Sequence, residues 1–271
     1  MSGGPGDPPS QRPRQAQRPR QAQRPPLASV QLVLFSRAPV AGRTKTRLTP
    51  PLTPEQARDF HAACLNDLLA AARAWAREHA GRTGIPVGLH LCITPPASQV
   101  AFRAAGVRWP DDFALHNQRG AELGARMEHA LRRVRTGAPA PAGALLVGCD
   151  LPLLGAPQWH AAAEALAGAD VVFGPTPDGG YYLVGTRVDP AGLFPSSGWG
   201  GAAVLERSLA AARAAGHAAA RIEALPDADT AADLANLLAH PLATTLAQRA
   251  SLRLLRALRA QRELPKQGSH R

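Results

Sequence analysis

Three segments of the 271-residue chain carry residue types suited to phosphate and to a hard cation. The first is Arg37-Ala38-Pro39-Val40-Ala41-Gly42-Arg43-Thr44-Lys45-Thr46-Arg47-Leu48, with four cations in eleven residues. Fixed cations and exposed loop amides together make a cradle for phosphates. Gly42 permits close backbone approach or a positive φ. The spacing is not that of a Walker A loop, because with Lys45 as its lysine the glycine positions hold Pro39 and Thr44. A solvated basic loop is the plainer alternative.

The second segment is Val147-Gly148-Cys149-Asp150-Leu151-Pro152, an apolar run ending in a carboxylate. A carboxylate at a strand end suits Mg²⁺, which takes one or two carboxylates plus ligand phosphates. Asp150 reads equally as a cap for the next turn. Cys149 reads as a small buried residue rather than a reactive thiol.

The third segment, Gly174 to Tyr182, contains Asp178-Gly179-Gly180-Tyr181. Asp-Gly is a strong hairpin signal, yet a hairpin alone does not explain two tyrosines and a Pro beside it. A weaker fourth segment is Asp227-Ala228-Asp229-Thr230. Asp229 reads first as a helix N-cap and, more sharply, as a second metal carboxylate. His61 and Cys64 lie one helical turn apart but make no site by themselves, and His61 reads as structural. The nine histidines show no metalloprotease spacing, and no G-x-S-x-G elbow is present.

Strands and helices must position these segments. Strands are expected at Val30–Ser36, Val87–Thr94, Phe113–His116, Ala144–Asp150, Asp170–Pro175, Tyr181–Thr186 and Ala220–Leu225. Helices are expected from the Thr53 cap onward and at Ala97–Ala105, Gly120–Arg135, Pro157–Leu166, Gly201–Ala214 and Thr230–Ala239. A basic helix is expected over Leu242–Arg262. Such alternation implies an α/β three-layer sandwich around a mostly parallel sheet. Ligands bind such sheets beyond the carboxyl ends of the strands, where the loops after Ser36, Asp150 and Pro175 lie.

The formal charge is +11, but it is uneven. Residues 1–29 carry +4 and residues 252–271 carry +5, leaving +2 for residues 30–251. The amino end repeats QRPRQA and has too little apolar surface to offset its ordering entropy. It reads as a solvated basic tail, with a domain over 30–240 and a basic helix and tail over 241–271. No aromatic interleaves its arginines, so no specific nucleic-acid partner is expected. Hydrophobic residues at 45% suffice for a core, and no apolar run approaches the roughly 18 residues of a membrane span. Three cysteines without a C-x-x-C pair fit a cytoplasmic protein rather than a disulfide scaffold.

In combination these segments resemble the selenodomain-associated transferases, a bacterial GT-A-like family. The matching residues are R-x-P-x-x-G-x-x-K-T-R-L at Arg37–Leu48 and Gln118, Gly120, Leu123, Gly124, Arg126 and Met127. They continue with G-x-D-x-P-x-L at Gly148–Leu154, G-P-x-x-D-G-G-Y-Y-L at Gly174–Leu183, Leu193-Phe194 with Trp199, and D-x-D-T-x-x-D-L at Asp227–Leu234. Gly200-Gly201 departs from the Ser-Thr that relatives carry after the Trp. The family is related to small nucleotidyltransferases such as phospholactate guanylyltransferase and molybdenum cofactor guanylyltransferase. It shares its sheet with sugar-nucleotide glycosyltransferases. The resemblance implies a nucleotide and Mg²⁺ or Mn²⁺.

The expectation is therefore a metal-dependent nucleotidyltransferase moving a nucleoside monophosphate from a triphosphate to a small phosphorylated or acidic acceptor. Arg37, Pro39, Gly42, Lys45, Thr46 and Arg47 would bind phosphates. Lys45 and Asp150 would be catalytic, Asp150 and Asp229 would hold the metal, and Asp178, Gly179, Gly180 and Tyr181 would bind substrate. Glycosyl transfer from a nucleotide-sugar is the alternative enzyme. A basic interaction module driven by the charged ends is the non-enzymatic one.

Overall fold

The computed structural model describes residues 24–195 and 197–261. In chain order the elements are β1 (Ser29–Arg37), α1 (Pro54–Thr83), β2 (Val87–Thr94), α2 (Gln99–Ala104) and β3 (Ala114–Asn117). Then come α3 (Leu123–Thr136), β4 (Ala142–Gly148), α4 (Ala156–Gly168), β5 (Val171–Pro175) and β6 (Tyr181–Thr186). The chain continues through α5 (Val204–Ala214), β7 (Ala219–Arg221), α6 (Ala231–Ala239), α7 (Pro241–Thr245) and α8 (Ala250–Ala260).

The strands form one seven-stranded sheet in the order β3-β2-β1-β4-β6-β5-β7. All are mutually parallel except β6, which runs antiparallel to both β4 and β5. Central strand β1 is buried on both faces, so its middle, Leu32–Phe35, is continuously apolar rather than alternating. Leu32 and Leu34 join the layer of α1 and α4, while Val33 joins the layer of α3 and α5. A third apolar cluster packs α6, α7 and α8 on the first turns of α1 and on Leu48.

α1 begins where the sequence says it should. Thr53 Oγ1 accepts from Gln56 N at 3.2 Å, and Gln56 Oε1 accepts from Thr53 N at 2.8 Å. The C-terminal basic stretch differs from expectation, breaking into α7 and α8. The cause is tertiary. Asp67 on α1 accepts from Ala250 N and Ser251 N, both at 2.9 Å, and so caps a new helix start. Arg249 meanwhile reaches the carbonyls of Pro152 and Leu154 at 2.7 and 2.6 Å. Arg262 lies outside the described residues.

The amino-terminal boundary also shifts. Arg24 pairs with Asp170 through two nitrogens at 3.0 and 2.8 Å and donates to Gly168 O. The Pro25 carbonyl accepts from Arg187. Residues 24–29, grouped with the tail on composition, are thus tied to the foot of β5 and the start of β1. The QRPRQA repeats and residues 262–271 lie outside the described residues.

Away from the loop rim, a directional hydrogen-bond chain crosses three strands. Arg133 Nε donates to His116 Nδ1 at 3.0 Å, and His116 Nε2 lies 3.0 Å from His90 Nδ1. His90 Nε2 lies 2.9 Å from Gln31 Oε1. Every donor meets an acceptor only when both imidazoles are neutral. Burial, with His116 and Arg133 nearby, pushes the His90 pKa down to about 4. A histidine kept neutral in the fold stabilises it fully above its unfolded pKa, and that contribution is lost as pH falls toward the folded value. Stability is therefore expected to drop between about pH 6.5 and pH 4, by up to about 3 kcal/mol. Urea midpoints measured across that window should show a shallower slope in His90→Asn than in the parent.

Candidate functional site

The loop after β1 is shaped before any ligand is considered. Thr44 Oγ1 donates to Ala38 O at 2.7 Å and accepts from Val40 N at 3.2 Å. Gly42 turns the chain with φ 71°, and Lys45 follows with φ 55° and ψ 39°. A left-handed backbone is unfavourable for a side chain with a Cβ and persists where the surroundings over-determine it. Here the ammonium does so. Lys45 Nζ contacts Ala228 O at 2.8 Å, Asp229 Oδ1 at 2.8 Å and Asp150 Oδ2 at 2.9 Å. All three of its donors are thus engaged.

Asp150 follows β4, and its other oxygen faces α1. His61 Nδ1 lies 2.7 Å from Asp150 Oδ1, and a carboxylate can only accept, so the proton sits on Nδ1. His61 Nε2 lies 3.0 Å from Arg37 O and 3.2 Å from Ser36 Oγ. The imidazole therefore ties the end of β1 to the end of β4. Burial alone would raise the Asp150 pKa, but Lys45 and His61 outweigh it and hold the carboxyl well below its usual range. Burial likewise opposes the charge on Lys45, and Asp150 and Asp229 reverse that effect, leaving the ammonium above the ordinary lysine value. The Lys45 side chain is 4% exposed, and Asp150 and Asp229 are 38% and 45% exposed.

These groups line a cavity of about 280 Å³, into which Arg37, Arg43, Thr46 and Arg47 also open. A larger cavity of about 600 Å³ lies alongside and shares Arg47 and Asp229 with it. Asp178, Asp227 and Asp233 line this second chamber. Burial, then Asp229 and Asp178, pushes the Asp227 pKa up to about 6.

Asp229 does not cap α6. Thr230 does, its hydroxyl accepting from Asp233 N at 3.3 Å while Asp233 Oδ2 accepts from Thr230 N at 2.7 Å. The one-residue offset leaves the Asp229 carboxylate for Lys45, and Arg47 approaches it to 3.8 Å.

The Asp178 segment is the β5–β6 hairpin. Asp178 Oδ1 accepts from Thr176 Oγ1 at 2.5 Å and from Gly180 N at 3.0 Å. Gly179 has φ 86°, and a Cβ there would strike the Ala202 carbonyl. The two tyrosines are explained by packing. Tyr181 sets its ring edge on Phe173 at 5.1 Å, and Tyr182 donates to Glu223 O at 3.0 Å from the other layer.

Of the residues singled out in the sequence, Arg37, Lys45, Thr46, Arg47, Asp150 and Asp229 share the first cavity. Asp178 lies at the second. Pro39 is buried and Gly42 is exposed, and neither lines these two cavities; both shape the loop. Gly179, Gly180 and Tyr181 also stay off both linings. Thr44, Arg43 and Asp227 belong to the arrangement but were given no role in the sequence, and His61, read there as structural, joins them. His61 is hidden on the apolar face of a helix, where only the distant Asp150 reveals its use.

Among the described residues, no group of three or more His, Cys, Asp or Glu is gathered to enclose a metal ion. Asp150 and Asp229 are two carboxylates converging on one point, held by the Lys45 ammonium. Two carboxylates completed by ligand phosphates are a donor set that Mg²⁺ accepts. All three cysteines are free and buried. No described helix is long and apolar enough to cross a membrane.

The fold is GT-A-like, an α/β sandwich around a mostly parallel seven-stranded sheet. It is similar to a Desulfovibrio desulfuricans G20 protein described provisionally as a nucleotide-diphospho-sugar transferase. The TM-score is 0.72 at 24% identity, over 85% of this chain and 95% of that one. A family model described as "Uncharacterized protein conserved in bacteria (DUF2064)" matches residues 79–201. That span holds Asp150 and the Asp178 hairpin and leaves out the Arg37–Arg47 loop and Asp229. More distant likenesses include Rv0371c of Mycobacterium tuberculosis H37Rv in complex with manganese. The TM-score is 0.47 at 19% identity, over 79% of this chain and all of that one. A Leptospira borgpetersenii cytidylyltransferase gives a TM-score of 0.48 at 10% identity, over 90% and 99% of the two chains. No curated protein matches the sequence.

Removing the ammonium leaves two facing carboxylates and an empty polar junction. Breaking a buried ion pair costs about 3–5 kcal/mol, and the partial exposure of both aspartates reduces this to about 1–3 kcal/mol for Lys45→Met. Chemical denaturation should show that loss, with part of it recovered in the double variant Lys45→Met/Asp229→Asn.

Proposed function

We propose that the cleft transfers a nucleotidyl group from a nucleoside triphosphate to a small acceptor. The observation that carries this reading is the meeting of the Arg37–Arg47 loop with Asp150 and Asp229 around Lys45. Four loop cations on one side of a small cavity suit a triphosphate better than a singly charged ligand. Arg37, Thr46 and Arg47 are the phosphate contacts, and Lys45, its three donors held by Ala228, Asp229 and Asp150, adds positive charge behind them. Asp150 and Asp229 would hold Mg²⁺ or Mn²⁺, which supplies charge neutralisation of the polyphosphate when bound. The acceptor's hydroxyl oxygen or amine nitrogen bonds to the α-phosphorus and releases its proton to solvent, the bond to the β-phosphate breaks, and pyrophosphate leaves with the electron pair. The protein's part is positioning and charge stabilisation.

His61 acts here as a positioning residue, fixing one oxygen of Asp150 so that the other faces the cavity. The neighbouring chamber is the place for the acceptor. Its carboxylates at Asp178, Asp227, Asp229 and Asp233 argue against the acidic acceptor expected from sequence and favour a hydroxyl or amine group. That lining also suits sugar hydroxyls. With the description of the Desulfovibrio protein, it favours glycosyl transfer from a nucleotide-sugar as the second reading. The two differ in product, pyrophosphate in the first and a nucleoside diphosphate in the second.

A thermal-shift panel of nucleoside triphosphates and nucleotide-sugars, with and without Mg²⁺, tests the reading, because a ligand of the native state raises its melting temperature. Asp150→Asn is expected to abolish the Mg²⁺-dependent shift and leave the fold intact. An unchanged shift would overturn the role of Asp150. Lys45→Ala should weaken triphosphate binding at least tenfold more than binding of the bare nucleoside, measured by calorimetry.

A further inference from the structure

A separate cavity of about 390 Å³ opens on the α3 face of the sheet, toward the amino-terminal ends of β1 and β4 and away from the loop rim. Gln31 of β1, His90 of β2, His116 of β3 and Arg133 of α3 line it, with Thr136 and Gly137 where α3 runs out. Its volume lies in the range of small-ligand clefts, about 300–1,000 Å³. No carboxylate is among its lining residues. Its four polar side chains are those of the hydrogen-bond chain across β1, β2 and β3, and the nucleotide reading uses none of them.

The polarity of that chain decides what the cavity can hold. A guanidinium can only donate, so Arg133 Nε fixes the proton of His116 on Nε2, and His116 in turn fixes that of His90 on Nε2. The ring lone pairs are thereby spent, and a metal ion finds no free nitrogen on either imidazole. What remains is donors. The two Nη groups of Arg133 have no partner among the described residues, and the Gln31 amide, whose oxygen takes the His90 proton, keeps its Nε2 hydrogens. The Arg133 carbonyl at the end of α3 is already taken by Gly137 N and Thr136 Oγ1, at 3.3 and 3.1 Å.

The surroundings are cationic. His129 of α3 borders the same groove beside His116 and Arg133. Burial, then Arg133 and His129, lowers the His116 pKa, and burial, then Arg119, Arg133 and Arg132, lowers that of His129. Arg132 is paired with Glu128 and Asp189 at 2.9 and 3.0 Å, whereas Arg133 meets no carboxylate among the described residues.

We propose that this cavity binds the oxyanion group of a small molecule, a phosphate, sulfate or carboxylate, on Arg133 and Gln31, and takes up a proton with it. The anion accepts from the Arg133 fork and the Gln31 amide. Its charge favours protonation of His116 at Nδ1. The bond from Arg133 to His116 then opens, and both N–H groups turn to the anion. The proton comes from solvent. Binding tightens as pH falls, because a negative ligand raises the pKa of imidazoles that the empty site holds down. The cavity shares no residue with the phosphate cradle, and the inference does not rest on the nucleotide reading.

The ring C–H signal of His116 in NMR, identified by its absence from His116→Asn, reads the site directly. Sulfate and formate, neither of which titrates above about pH 5, are each compared with chloride at equal ionic strength. At least one of them should raise the His116 midpoint by about 0.5 pH unit or more. A response to sulfate alone assigns the site to phosphate- and sulfate-bearing ligands, and a response to formate alone assigns it to carboxylates. Arg133→Gln, at an exposed position of α3, should abolish the response. Arg47→Gln, in the phosphate cradle, should keep it. The proposal is overturned if neither anion moves the midpoint in the parent protein, if the response survives in Arg133→Gln, or if Arg47→Gln removes it.

Discussion

One ammonium group organises the rim of this molecule. Lys45 Nζ is shared by Asp150 after β4, Asp229 before α6 and the Ala228 carbonyl, while its own backbone belongs to the loop after β1. Three loops distant in sequence are thus fixed relative to one another by a group that no longer sees bulk water. The cost of burying it is met by two carboxylates, and the cost of its left-handed backbone is met by the same contacts. His61 extends the junction inward, so that α1 senses the position of Asp150.

The helices at the carboxyl end serve this junction from behind. α6 and α8 pack Leu234, Leu237, Leu252 and Leu255 against Phe60 and Leu48. Leu48 closes the turn that begins at Lys45, and Phe60 precedes His61. Asp67 caps α8, and Arg249 holds the carbonyls of Pro152 and Leu154 just beyond Asp150. A segment that looks like a basic appendage in composition is therefore part of the wall that keeps the cavity-lining loops in place.

The strands were legible in the sequence because each is short, apolar and followed by turn residues. Val87–Thr94 and Tyr181–Thr186 match residue for residue. The convergence of Arg37–Arg47 and Asp150 on one cavity was legible because charged residues stand at the ends of apolar runs. What sequence could not show depends on partners far along the chain. The break between α7 and α8 is made by Asp67, and the use of His61 by Asp150. Local signals also misled where two roles compete: Asp229 and Thr230 are both good caps, and only the position of Lys45 decides which one is free. The segment around Gly124 and Arg126 has a structural account. A Cβ on Gly124 would strike Trp199, and Arg126 donates to the Gly120 and Ala121 carbonyls.

The adjacent tyrosines of β6 bear on the fidelity of folding. Side chains alternate across a strand, so Tyr181 and Tyr182 enter opposite layers. Gly174 on β5 is bare where the ring of Tyr182 lies over it, and a Cβ at that point would meet the ring. Sliding the hairpin by one residue would exchange the two rings between layers, strand one phenol without its carbonyl and bring a bulky neighbour over the wrong position. The pair works as a ruler laid across the sheet, admitting one alignment of the hairpin.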